Sequence, residues 1–278
     1  MIERMAGAIF RAFIIALLVA MPSLLLPGVV SDATAMVVLL ALLAAMMTFV
    51  EYNSEFPSVV EFRYAPPFNR LRVGTLFLVV FMLTMISRGG VYPTDLSLVL
   101  TALGRLVGTA VDFPYSPVRL MVLMMPSNTS PVLIDSVRTA AGVSYCISVS
   151  AVLLFLGLVK FFGWPARNGA FNVWVNLPMF DPTAGDVLSR LTRDARVNII
   201  LGFLLPFMIP ALVKAGSAWI DPTVMANPQT LIWAMTIWAF LPASMIMRGI
   251  ALARIAEMIG EKRRRAYAEA EAQGLQAI

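Results

Sequence analysis

Residues able to do acid–base or nucleophilic chemistry are scarce in this chain and poorly placed for it. Its 278 residues include no histidine and a single cysteine, Cys146. That removes the commonest general base and metal ligand, every triad built on imidazole, and His-ligated haem. One cysteine also rules out an internal disulfide. Two groupings remain. Lys214 and Ser217 stand three apart near the end of an apolar run, with the residue types of a Ser-Lys nucleophile pair. A lysine there is better explained by snorkelling to a membrane interface. Glu51, Glu55 and Glu61, followed by Arg63, Arg70 and Arg72, are spaced too loosely for a divalent-cation site and read as interfacial charge.

Two short motifs fail on inspection. "RDARVN" (193–198) resembles one piece of a phosphatidyltransferase motif, whose chemistry needs further aspartates along the same helix to hold metal ions. Here "IILGFLLPF" follows instead. "TAGD" (183–186) lacks the intramembrane setting and the second aspartate of an aspartyl protease. No carboxylate falls near the centre of any long apolar run, which disfavours proton coupling through intramembrane acids. The sequence therefore assigns no catalytic residue, no metal ligand and no cofactor.

The elements that carry these residues are far clearer than the chemistry. Hydrophobic residues make up 59% of the chain and charged ones 13%, with a mean hydropathy of +0.82. Soluble domains average about 45–50% apolar and about 25% charged. The apolar excess is gathered in blocks at 12–30, 33–50, 71–87, 140–162, 197–219 and 229–247, each close to the roughly 20 residues that cross a bilayer. The predicted fold is an all-α integral membrane protein with six transmembrane helices. It forms one polytopic domain over 1–260, with a basic helix at 261–278 that continues the last span into the cytoplasm. A cleaved leader at the first block is disfavoured, because the next residues would at once begin another span. The first two blocks read as a helical hairpin turning at Val30-Ser31-Asp32.

Orientation follows from positive charge. With six spans and the N-terminus inside, only Arg88, Arg105, Arg119, Arg138 and Lys214 lie outside, and the other lysines and arginines are cytoplasmic. Were Leu96–Phe113 to cross as well, "EKRRR" (261–265) would move to the wrong face. In that stretch Ser97, Thr101, Arg105, Thr109 and Asp112 recur at helical spacing, behind a capped start at Thr94 and Asp95. It reads as an amphipathic helix of the outer segment 88–139, interfacial with its polar stripe toward water in preference to re-entrant. The run "VRLMVLMMP" (118–126) is too short to span.

Several features read as contact surfaces. Ala140, Ser144 and Ser148 form a small-residue face, with Gly142, Cys146 and Ser150 beside it, and Gly104 and Gly108 repeat the device on the outer helix. Such faces admit close helix approach, within the chain or to a partner, and their hydroxyls can bond across. Pro22 and Pro27 are expected to break the first span, and Pro206 and Pro210 the fifth. Lys262, Arg263, Arg264 and Arg265 are expected on anionic phospholipid headgroups. In the loop before span five, Trp164, Phe171, Trp174 and Phe180 read as an interfacial aromatic segment. A helix follows from about 181–183, with Val187, Leu188, Leu191 and Ala195 on its apolar side, expected to lie on the membrane.

The expectation is thus a multi-pass protein of a bacterial inner membrane with both termini cytoplasmic. It is a non-enzymatic accessory, scaffold or assembly subunit whose partners are the lipid bilayer and other membrane chains, not nucleic acid. The alternative is a permease subunit built on the proline-broken spans.

Overall fold

The computed structural model describes residues 2–28, 31–165, 176–180, 185–216 and 221–273. Eight α-helices are present among them: α1 (Ile2–Leu25), α2 (Ser31–Asn53), α3 (Phe68–Gly89), α4 (Asp95–Ala110), α5 (Pro117–Leu123), α6 (Pro131–Phe161), α7 (Val187–Ala215) and α8 (Pro228–Ala272). Six of them, all but α4 and α5, are long and apolar enough to cross a membrane. The protein is an all-α membrane protein, with no strand among the described residues. We call the end where α1 begins and α8 finishes the terminal end, and the other the distal end.

Helix starts are set by local chemistry. Thr94 and Ser97 exchange a capping box, with Ser97 N–H on Thr94 Oγ1 at 3.2 Å and Thr94 N–H on Ser97 Oγ at 2.8 Å. Ser116, Ser130 and Asn227 cap α5, α6 and α8, each followed by a proline whose missing N–H is not needed in the first turn.

Three helices overrun the apolar blocks that mark them. α6 starts at Pro131 and not 140, α7 at Val187 and not 197, and α8 continues unbroken into the basic tail as far as Ala272. The reason is that hydropathy marks where a helix is apolar, whereas a capped backbone ladder continues into polar sequence. α7 does not turn out of a membrane-lying segment. Its first turns pack along α8, with Leu191 and Ala195 buried there.

Two cores hold the bundle. One gathers Val79, Val80 and Leu83 of α3 with Val118 and Met121 of α5 and Met235 and Trp238 of α8. The segment after α4 therefore packs one face into the bundle, while Leu123 stays exposed. The second, toward the terminal end, is aromatic: Phe155 lies 5.2 Å from Phe68 and 5.1 Å from Trp164, centroid to centroid. Trp164 is buried and donates its indole N–H to Ala65 O at 3.1 Å, so it is a core residue where an interfacial one was expected. Phe180 lies under the Arg190 guanidinium at 4.6 Å. Phe171 and Trp174 lie outside the described residues.

Candidate functional site

At the distal end, α4 crosses α6 at a point made of glycine. A Cβ on Gly142 would stand 2.5 Å from Gly108 Cα, and one on Gly108 would stand 2.9 Å from Arg138 O. Gly104, one turn earlier, would meet Thr139 and the α3 residue Ile86, each at 3.0 Å. The glycines set α4 and α6 in backbone contact near Arg138, Thr139 and Gly142. Gly104 and Gly108 thus serve contact within the chain. Ala140, Ser144 and Ser148 are buried too. Their hydroxyls do not bond across helices: Ser144 Oγ donates to Ala140 O at 2.7 Å in its own helix, and Ser148 Oγ is buried without a protein partner.

The face of α4 turned inward is the small and polar one. Ser97 is fully buried beside Gly89, and Thr101 is half-buried, while Leu96, Leu98, Val99, Leu103 and Leu106 are exposed. Of the polar stripe expected to face water, Ser97 is turned inward, while Arg105 and Thr109 stay exposed. The cause is that leucine gains nothing by leaving lipid for a protein interior, whereas small residues gain close backbone packing.

Around that crossing charged residues of α4, α5, α6 and the α4–α5 connection form one chain. Arg105 Nε lies 2.9 Å from Asp135, Arg138 Nε donates to Asp112 Oδ2 at 2.8 Å, and Arg119 Nε stands 3.0 Å from Asp112 Oδ1. Arg138 also lies 3.6 Å from Asp135. The Asp112 side chain is only 6% exposed, which makes it the pivot of the cluster. Sequence reading found Arg105 and Asp112 but not their partners, because Asp135 and Arg138 sit on a helix start that the apolar pattern does not reveal.

At the terminal end the acidic residues of the α2–α3 connection separate into different tasks. Glu51 Oε1 accepts the backbone N–H groups of Ser58, Val59 and Val60 at 2.9, 3.1 and 3.0 Å, and Oε2 accepts the Ser58 hydroxyl at 2.5 Å. It folds the loop. Arg63 closes the same loop, donating to the carbonyls of Glu51, Ser54 and Glu55. Glu61 is held bidentately by Arg248 of α8, at 2.6 and 2.8 Å. No group of three His, Cys, Asp or Glu suited to a metal ion is present among the described residues.

The basic run of α8 is only partly free for headgroups. Arg263 donates to Asp186 at 2.8 Å, which ties the tail to the start of α7, and Arg265 lies 3.9 Å from Glu261. The Arg263 bond, helped by the Ser189 N–H, holds the Asp186 carboxyl below its usual range. Asp221 is likewise lowered by the Thr223 hydroxyl and N–H. Lys262 and Arg264 have no acidic partner among the described residues.

The expected helix breaks are absent. α1 runs through Pro22 and α7 through Pro206 and Pro210, while Pro27 lies beyond the last residue of α1. Pro210 has no N–H for the carbonyl four residues back, which belongs to Pro206. That carbonyl instead accepts the Trp238 indole N–H at 3.1 Å. A neighbouring helix repairs the ladder, so no gap opens. Lys214 Nζ reaches Met125 O at 3.5 Å, and Ser217, its suggested partner, lies outside the described residues.

The least covered element is α2. Only 11% of its apolar stretch is buried, against 56% for α8, and α1 is its only substantial packing partner among the described elements. Leu39, Leu42, Leu43, Met46, Met47 and Val50 all face outward. No protein-family model, curated protein or solved structure matches this chain.

Proposed function

We propose that this chain is a non-enzymatic accessory, scaffold or assembly subunit of a bacterial inner-membrane complex, with both termini cytoplasmic. Its α1–α2 hairpin is the docking element. The observation that carries the reading is the single-sided packing of α2: one helix covers it and the rest of its circumference is apolar. The other spans satisfy their small-residue faces inside the bundle, as at Gly108 and Gly142, and so have less to offer a partner. The cytoplasmic placement of both termini rests on the bias of lysine and arginine toward that end.

The test is photo-crosslinking in native membranes, with the reactive residue placed singly from Met36 to Val50. Docking gives a protein adduct of one discrete mass at positions three and four apart on one face, and the same partner stays with the chain through purification in mild detergent. Lipid adducts alone, at every exposed position around the helix, would sink the proposal.

A further inference from the structure

Where α7 and α8 leave the apolar part of the bundle at the terminal end, a shallow groove of about 390 Å³ opens between them. Ala195, Ala256 and Gly260 line it with small residues, and Leu188 and Ile199 add apolar walls. Two arginines, Arg196 from α7 and Arg264 from α8, also line it. Neither has an acidic partner among the described residues. The one carboxylate present, Glu257, is engaged by Arg254 at 2.5 Å. The groove therefore presents two uncompensated positive charges beside an apolar floor.

From these features we infer that the groove is a binding site for one anionic phospholipid of the leaflet at the terminal end. Its volume falls in the range of small-molecule sites, about 300–1,000 Å³. The chemistry of the occupant follows from what continues beyond the groove. Arg196 is the last charge on α7 before an uncharged run that ends only at Lys214. Just past it on that helix, Ile199, Ile200 and Phe203 are exposed. A ligand whose anionic group meets Arg196 thus has apolar surface on the adjoining turns of the same helix. An amphiphile satisfies both halves. A free phosphate would leave the apolar half empty, and an acidic soluble segment would meet the exposed isoleucines with polar groups. The site differs from a general attraction of basic residues to headgroups, because Arg196 is not part of the basic run and the groove needs both helices.

The inference is independent of the assembly role of α2, and its test uses the full chain purified in detergent. Native mass spectrometry is run with added phosphatidylglycerol or phosphatidylcholine of identical acyl chains. One phosphatidylglycerol should be retained in preference to phosphatidylcholine. Arg196→Gln and Arg264→Gln should each weaken retention about fivefold, the factor for losing one basic residue near an anionic headgroup. Gly260→Leu fills the groove without changing charge and should also weaken it, since Leu188 carbons lie 3.9 and 4.0 Å from where a Cβ would stand. Lys262→Gln, in the basic run but outside the groove, should leave retention unchanged. Equal retention of the two lipids, insensitivity to Gly260→Leu, or a Lys262→Gln loss equal to that of Arg264→Gln would overturn the site. Displacement of the lipid by glycerol phosphate or inorganic phosphate alone would show a phosphate site and overturn the amphiphile.

Discussion

Gly142 of α6 faces Gly108 of α4 so closely that a Cβ on the first would stand 2.5 Å from the Cα of the second. The obstacle is backbone, so no side chain can rotate away. Gly142→Ala should force the helices apart and lower stability by about 1–3 kcal/mol, the usual range for overpacking. Gly157→Ala is the control, because its nearest neighbour lies 3.9 Å away. Unfolding in mixed detergent micelles measures both, and equal losses would refute the crossing.

Asp112 accepts a hydrogen bond from Arg138 and pairs with the Arg119 charge 3.0 Å away, while its own side chain is nearly buried. Asp112→Asn preserves shape but leaves two guanidinium groups facing each other. The expected loss is about 1.5–3 kcal/mol, as for hydrogen bonds to charged groups. Combining it with Arg138→Gln should cost less than the sum of the two single changes. Strict additivity would mean that the pair is not coupled.

Trp238 lends its N–H to the carbonyl that Pro210 leaves without a partner. Trp238→Phe should destabilise by about 0.6–1.7 kcal/mol, the range for hydrogen bonds between membrane helices. In a Pro210→Ala background the backbone N–H returns, and the penalty for Trp238→Phe should shrink. An unchanged penalty would assign the effect to lost ring packing alone.

The Asp186–Arg263 contact predicts a pH response of the α8 tail. The folded carboxyl titrates below the ordinary aspartate range, chiefly because Arg263 donates to it. The stabilisation is therefore fully present at neutral pH, above the unfolded value, and is lost as pH falls through the folded value. A fluorophore pair reporting the distance between the start of α7 and Arg263 should show release on acidification. Release should come at higher pH in strong salt, since the pair is half-exposed. An Asp186→Asn variant should be open at all pH values, and a closed Asn variant would break the argument.

Topology is tested by reporter fusions. One at the C-terminus and one within 165–196 should both report cytoplasm, and one within 114–138 the opposite side, following the positive-charge bias. A cytoplasmic signal from 114–138 would overturn the six-span orientation.

Composition and block length alone determined the class of this protein and its six spans. Transfer of some 20 apolar residues into lipid is a local property that any such run carries with it. Thr94 and Ser97 were legible as a helix start for the same reason, since a cap needs only its own turn. Three things were decided by tertiary structure. Ser97, Gly104 and Gly108 of α4 turned inward while its leucines stayed exposed, because lipid is as apolar as leucine, so amphipathicity in a membrane does not say which face packs. Pro210 of α7 stayed inside a continuous helix, where Trp238 on a different helix supplied the donor missing at Pro206 O. The charges of Asp112, Arg138, Glu61 and Arg248 found partners across distances in sequence that no spacing rule encodes. The lysine and arginine bias predicts the side on which the terminal end lies, but which of those charges meet lipid and which meet Asp186 or Glu261 depends on how α7 and α8 are set against each other.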